Sequence, residues 1–346
     1  MDSPPQPGLS RGRFFIAGLL VAALLLGFLP LWAVYRLHAQ VQLSRPVVYV
    51  TIPKGSHARS ISKQLREAGL ELDENWFILF SCLRRSSNRL KSGEYLFEEG
   101  VTLFEVLKKI EEGHCLTVKV TFPEGFRTSQ IAERLAQAAV IQNEESFMKW
   151  TVDEPFVRSL GIDGSGARGF LYPDSFLFSR GLDERDVIAI MVQRFHEVLP
   201  QDFAERAQAL GLDPYEAVTL ASIVEKEAVV DEERRIISAV FHNRLRKGWP
   251  LQSDPCVRFA TKNFGRHLTY KDLKHDSPYN TYVYKGLPPG PICNPGLPSL
   301  LAAVTPMDVG YLFFVSMNNG RHHFSENLED HNKAVWRYQI MNEVGT

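Results

Sequence analysis

Between Arg13 and Arg36 the chain runs FFIAGLLVAALLLGFLPLWAVY without a single charge. As a helix this stretch, Phe14 to Tyr35, is about 33 Å long, enough to cross the hydrocarbon core of a bilayer. A cleavable signal peptide would also carry basic residues such as Arg11 and Arg13 in front of its apolar part. That part is only about 7–15 residues long in a signal peptide and ends in a small-x-small site, for which nothing clear stands before Arg36. The expectation is therefore a retained single-span membrane anchor at 14–35, preceded by a cytoplasmic tail at 1–13. Arg11 and Arg13 before the span, against Arg36, Arg45 and Lys54 after it, tilt the charge rule toward a cytoplasmic N-terminus. The working part then lies outside the cytoplasm.

The rest is ordinary globular material: 346 residues at 45% hydrophobic and 23% charged leave room for two or three domains. A formal net charge of -1, with no Lys/Arg cluster standing out from a solvated surface, argues against a nucleic-acid partner. Cys82, Cys115, Cys256 and Cys293 show no CxxC spacing, which excludes a zinc knuckle or a thioredoxin-like site. They are either buried thiols or partners in disulfides, and sequence does not choose among the pairings. His242, His267, His275, His322, His323 and His331 crowd the C-terminal half, yet no HExxH or comparable ligand spacing occurs. No metal and no cofactor are expected.

Laid over itself with a shift of about 70 residues, the chain echoes: Thr51, Pro53, Gly55, Ile61, Leu65, Ala68 and Phe77 meet Thr121, Pro123, Gly125, Ile131, Leu135, Ala138 and Phe147. Both copies read strand, turn, helix, helix. VVYVTIP places β-branched residues before a Pro-x-Gly turn, and ARSISKQLREAGL repeats apolar residues at helical spacing until Gly69 stops it. A second short helix near Glu74 to Cys82 and a strand, GEYLF, complete a β-α-α-β unit in the first copy. That order resembles LysM modules, which bind N-acetylglucosamine-containing glycans; a spacer holding an enzyme off the membrane fits the same order.

From Asp183 the pattern turns helical, with periodic stretches at Glu184 to Val198, Pro214 to Val229 and Glu232 to Lys247. Trp249 to Pro298 reads as long packed loops of the kind that build clefts. A short helix, a strand GYLFFVSM, a hairpin return HHFSEN and a terminal helix follow. Within the second helical stretch, LASIVEKEA sets an acid into an apolar stripe. Ala217, Leu220, Val224 and Ala228 share one face and Glu227 falls about 60° from Val224, inside it. Glu225 lies at the flank, with Ser222 and Lys226 toward solvent. A carboxyl on an apolar face is desolvated, which raises its pKa and lets it hold a proton near neutrality. The alternative is an edge position, paired with Arg234 or Arg244.

ASIVEKE, VFHNRLRKGWPLQSDP, SPYNTYVYKGLPPGPICNPG and YLFFVSMNNGRHHFSENLEDHN, in this order, resemble the YceG-like endolytic murein transglycosylases from about Thr117 to the C-terminus. The resemblance implies an α+β fold class: a single transmembrane helix, a LysM-like β-α-α-β subdomain at 36–116 and a mainly helical α+β catalytic domain at 117–346. It implies a lyase, a lytic transglycosylase that cuts nascent peptidoglycan glycan strands internally between N-acetylmuramic acid and N-acetylglucosamine. The cut leaves 1,6-anhydromuramyl ends and terminates glycan elongation. A peptidoglycan synthase as partner is implied in the same way. In the family motif the second glutamate of EKE is catalytic, which is Glu227. Where members commonly carry Glu-Gly before the PD segment, this chain has Arg168 and Gly169, so no role carries over to position 168.

The reaction needs one group that gives a proton to the leaving glycosidic oxygen and then takes one from the C6 hydroxyl of muramic acid. A single carboxyl can do both. Hydrolytic glycosidases more often need two, about 5–5.5 or 6.5–9.5 Å apart. Glu225 and Glu227 diverge by about 200° on a helix and cannot form that pair, whereas Asp254 or Glu326 from a loop can supply a partner. A muramidase is thus the alternative chemistry, and a non-catalytic glycan-binding scaffold the alternative class. Gln252 and Asp254 in LQSDP are expected to line the cleft with Ser253, Asn280 to meet an N-acetyl group, Tyr282 to offer a sugar platform beside Tyr279, and Glu326 to orient substrate or the catalytic proton. Loop-capping, core-packing and helix-cap roles compete at each of these positions.

Overall fold

The computed structural model describes residues 27–86 and 89–341, in two compact units meeting between Thr117 and Val118. The expected tail at 1–13, and positions 14–26 of the anchor expected at 14–35, lie outside the described residues. The described remainder of that stretch opens a helix, α1, over residues 27–38. Among the described residues no helix is long and apolar enough to cross a membrane.

The first unit continues with β1 (Gln42–Leu43), β2 (Val47–Ile52), α2 (Ala58–Ala68), β3 (Leu70–Glu71), α3 (Glu74–Leu83), β4 (Gly93–Glu98) and α4 (Leu103–Glu112). β2 and β4 pair antiparallel with Val47 opposite Glu98 and Ile52 opposite Gly93. Alternation sends Val48, Val50 and Ile52 inward beside Tyr95 and Phe97, where Ile61, Leu65 and Phe77 from α2 and α3 close the core. Burying each such aliphatic side chain contributes about 1.5–3 kcal/mol. α2 ends at Gly69, whose φ of 110° is left-handed, and a Cβ there would stand 2.0 Å from Ser44 Oγ. Only glycine fits.

The second unit opens with β5 (Thr117–Thr121), α5 (Thr128–Gln137) and α6 (Glu144–Trp150), the second copy of the echo. The copies then part. Where the first closes with β4, the second inserts α7 (Glu154–Ser159) and a loop, and β5 pairs with the later β6 (Ser175–Ser179). Next come α8 (Glu184–Val198), α9 (Phe203–Ala209), α10 (Pro214–Glu227), α11 (Asp231–Arg246), α12 (Asp254–Thr261), α13 (Tyr270–Leu273), α14 (Leu297–Val304), the hairpin β7 (Phe313–Ser316) and β8 (His322–Ser325), and α15 (Leu328–Val335) with a closing π turn. Two short helices, α12 and α13, interrupt the segment read as loops from Trp249 to Pro298: α12 starts with Asp254 and Pro255 in its first turn, and α13 with a capping box between Thr269 and Asp272.

α10 is the spine of this unit, packed chiefly on α14 and α11. Asp213 and Glu216 form a reciprocal capping box and Pro214 sits in the first turn, so its start is set locally. The stripe of Ala217, Leu220 and Val224 is fully buried, as the periodicity requires. Ser222, expected to face solvent, is fully buried too. The loop at 292–293 crosses it: Ile292 N donates to Ser222 Oγ at 3.0 Å and Cys293 Sγ to Ser222 O at 3.3 Å. The hydroxyl also donates to Thr219 O at 2.7 Å, and a small hydroxyl that both accepts and donates tolerates burial, which hydropathy does not register.

Candidate active site

Glu227 is the last residue of α10, and the chain leaves the helix at Ala228 in extended conformation. The residue keeps partial solvent access, but its carboxyl is enclosed by protein. Burial is the main reason that its pKa is raised to about 7, and the negative charge of nearby Asp254 adds to it. The unsatisfied carbonyls at the C-terminal end of a helix also oppose a carboxylate there. Two groups work the other way: Ser253 Oγ donates to Glu227 Oε1 at 2.7 Å, and the Arg244 guanidinium lies close enough to favour the charged form.

The loop 251–254 that delivers Ser253 is tied down from behind. Gln252 takes a left-handed φ of 50° with its N donating to Thr281 O at 3.0 Å, and Ser253 N donates to Thr281 Oγ1 at 2.9 Å. Arg244 on α11 donates through Nη1 to Leu251 O and through Nε to Leu312 O, each at 2.7 Å. One buried guanidinium therefore clamps the loop start to the strand region before β7. Beneath it Cys256 is fully buried, and desolvation pushes its thiol up to about 12. At the rim, Asp254 Oδ1 accepts from the Tyr282 hydroxyl at 2.7 Å, while among the described residues Oδ2 accepts no hydrogen bond.

Glu225, two residues earlier, has a structural assignment. Its Oε2 accepts from Ser299 Oγ at 2.7 Å, Arg234 Nη1 at 3.2 Å and Gly296 N at 3.3 Å, pinning α10 to the start of α14. Arg234 thus pairs with Glu225 and not with Glu227, which leaves the Glu227 carboxyl without a salt bridge among the described residues.

The comparisons with known proteins agree with this architecture. The family model described as YceG-like family matches residues 50–337. The chain belongs to the YceG-like family. A relative in Bacillus subtilis, an endolytic murein transglycosylase, is 30% identical over 311 residues, covering 85% of this chain and 86% of the relative. The endolytic murein transglycosylase of Streptococcus pneumoniae strain D39 is 28% identical over 323 residues, covering 84% of this chain and 58% of the relative. Among solved structures, a YceG-like protein from Listeria monocytogenes is similar with a TM-score of 0.57 at 31% identity, covering 84% of this chain and 99% of that one.

In this family member the residues singled out from sequence divide. Glu227, Asp254 and Tyr282 come together, the last two hydrogen-bonded to each other, while Gln252 is exposed on the loop beside Ser253 with its backbone tied to Thr281. Asn280 does not offer itself to a ligand: it is 0% exposed, its Nδ2 donates to Leu273 O and His275 O at 3.1 and 2.8 Å, and its Oδ1 accepts from Tyr282 N. The expectation of an N-acetyl contact is corrected, since an amide already satisfied by three backbone groups folds the loop instead. Glu326 is exposed just after β8, near Gly310, in a cavity of about 420 Å³ lined also by Tyr311, His323, Lys333 and Arg337. Among the described residues no hydrogen bond or ion pair joins it to Glu227, Ser253 or Asp254.

Tyr279 is engaged in packing: it accepts a hydrogen bond from Arg168 at 3.2 Å, and Arg168 stacks over Phe259, 4.8 Å from the ring centre. The arginine that departs from the family pattern has an aromatic seat of its own. None of the four cysteines is disulfide-bonded, and among the described residues no group of His, Cys, Asp and Glu can hold a metal ion.

Sequence reasoning placed Ser253 at the cleft, yet three sets of contacts were not legible: its bond to Glu227, the Thr281 brace and those of Asn294. The Ser253 hydrogen bond and the Thr281 brace join residues 26 and 28 apart, and no local pattern encodes such separations. Asn294 is the third: it is fully buried, its Oδ1 accepts from Gly169 N and Leu171 N, and its Nδ2 donates to Phe126 O, joining three loops. Its position in CNPG, an asparagine between a buried cysteine and a proline, was the available signal.

Proposed function

We propose that this chain is a membrane-anchored endolytic lytic transglycosylase, with Glu227 as its acid and base. The observation that carries the reading is a desolvated carboxyl at about 7 on the last turn of a buried helix, steadied by one hydroxyl. At neutral pH such a group is poised between its two forms, as a residue must be that gives a proton and then recovers one. Protonated Glu227 donates to the glycosidic oxygen leaving the muramic acid. The carboxylate then takes the proton of the C6 hydroxyl, which closes on the anomeric carbon as a 1,6-anhydro ring. Ser253 holds the carboxyl in one orientation through both steps. Asp254, adjacent and solvent-facing, stabilises positive charge developing at the anomeric carbon, and Gln252 and Tyr282 line the same rim.

The names of the Bacillus and Streptococcus relatives support murein as the substrate. In this reading residues 14–35 cross the inner membrane once with the N-terminus cytoplasmic, and the LysM-like unit at 36–116 binds or presents nascent glycan near the bilayer. The domain at 117–346 cuts it, and a peptidoglycan synthase supplies the strand.

The test is incubation of polymeric, uncrosslinked glycan with the protein and mass spectrometry of the products. Internal cuts ending in 1,6-anhydromuramic acid, lost in Glu227→Gln, are the expected result; unchanged cutting in that variant sinks the proposal. Asp254 favours one second reading, a muramidase, because its charge lies close enough to raise Glu227. Reducing muramic acid ends, with water as nucleophile, would decide for it.

A further inference from the structure

In the first unit, α1 and α3 are packed side by side, and their contacts fix their relative direction. Trp32 meets Trp76 edge-to-face with ring centres 5.0 Å apart, while one turn later Arg36 reaches back to Asp73, the N-cap of α3, at 3.2 Å. Moving up α1 therefore means moving down α3, so the two helices run antiparallel. The carboxyl end of α3 points the way that α1 came from, toward the apolar stretch.

That end of α3 is unusual. Leu79 is 44% and Leu83 67% exposed, and Cys82 on the same face is exposed as well. Positions 79, 82 and 83 follow helical spacing, so they form one outward ridge. The opposite face, with Phe77 and Phe80, is already buried in the core. Just beyond the ridge the chain turns basic. Arg84 is neutralised by Glu111 in a two-pronged ion pair of 2.9 and 2.8 Å, but Arg85, Arg89 and Lys91 make no direct ion pair among the described residues, Arg89 feeling Glu111 at longer range and Lys91 Nζ donating to Glu112 O at 3.0 Å. An apolar ridge rimmed by cations is the pattern of a helix lying at an anionic lipid surface.

We propose that the carboxyl end of α3 is a lipid-contact element, with Leu79 and Leu83 dipping into the headgroup layer and Arg85, Arg89 and Lys91 meeting anionic phospholipid headgroups. The inference rests on the reading of residues 14–35 as a membrane span. Trp32 and Tyr35, both substantially exposed at the end of that apolar run, stand where aromatic side chains mark the water–lipid interface. Trp76 sits at the level of Trp32, and α3 continues for seven residues beyond it, up to about 10 Å of helix toward the bilayer. The consequence for function is orientation: the unit is seated on the membrane by two contacts and does not swing on one.

Cys82 provides the probe. The full chain, carrying Cys115→Ala so that Cys82 is the accessible thiol, is spin-labelled at Cys82 and reconstituted in nanodiscs of phosphatidylcholine with or without phosphatidylglycerol. Label depth is read from collision with oxygen against a water-soluble nickel chelate. In anionic discs the label is expected at the headgroup–acyl boundary, within the ~5–10 Å that interfacial helices bury, and Arg85→Glu with Arg89→Glu moves it outward into water. A label that stays aqueous in anionic discs overturns the proposal. A second label at Leu24→Cys separates the two levels: deep in the bilayer it leaves the span intact while the α3 contact fails, and in water it removes the span and the α3 contact together.

Discussion

Replacing Glu227 by glutamine should make the protein more stable and catalytically dead, and the gain should depend on pH in one direction only. The wild-type carboxyl is raised from an ordinary value of 4.5 to about 7. The native state therefore holds a proton that the unfolded chain has already released between these two values, and stability falls as pH rises across that window. Above pH 7 the full penalty for an ionised Glu227 applies. At 1.36 kcal/mol per pH unit it amounts to about 3 kcal/mol. Glutamine keeps the shape and can still accept from Ser253 Oγ, but it carries no charge to desolvate. Its advantage should be near zero at pH 4, grow through pH 5 and 6, and level off above pH 7. For a unit of this size, about 3 kcal/mol corresponds to roughly 6–12 °C in the unfolding temperature. Differential scanning calorimetry of wild type and Glu227→Gln from pH 4 to 8 measures it directly. A difference that is flat with pH, or one that shrinks as pH rises, would refute the claim that this carboxyl is desolvated in the native state.

Three other outcomes follow from the same contacts. Ser253→Ala removes the one hydroxyl that favours the carboxylate, so Glu227 should titrate higher and the pH–rate profile should move alkaline by about one unit or more, charge-assisted hydrogen bonds contributing about 1.5–3 kcal/mol; an unmoved profile would mean the bond is absent in solution. Glu225→Ala takes one of two carboxylates from Arg234, which keeps Asp231 at 2.9 Å, and leaves Gly296 N without its acceptor; it should cost about 1–3 kcal/mol, visible as a drop in unfolding temperature, whereas a loss of activity at unchanged stability would argue for a direct part in the chemistry. Asn280→Ala removes the side-chain bonds to Leu273 O, His275 O and Tyr282 N and should lower stability by about 1–3 kcal/mol in all; if it raises KM at unchanged stability, Asn280 touches substrate after all.

How much of this was open to sequence depends on the range of the interaction concerned. Gly69 as a helix stop, the capping of α10 by Asp213 and Glu216, and the placement of Glu227 on the buried stripe are set by residues within four positions of one another. Local spacing sufficed for them. The internal echo also carried through β5, α5 and α6, and it broke where the second copy reached across an inserted loop to β6 for its strand partner. Ser222 and Asn280 are buried against the sequence expectation because side-chain type does not say which distant loop covers a position.

What the linear order of residues determined is the helical frame and the one acid embedded in it, since hydrophobic periodicity and capping act within a turn or two. What the tertiary structure decided is the chemistry of that acid. The hydroxyl that touches it, the charges of Asp254 and Arg244, and the diversion of Arg234 to Glu225 all come from segments brought together only by folding. A pKa depends on what surrounds a group in space, and that surrounding exists only once the chain has closed around it.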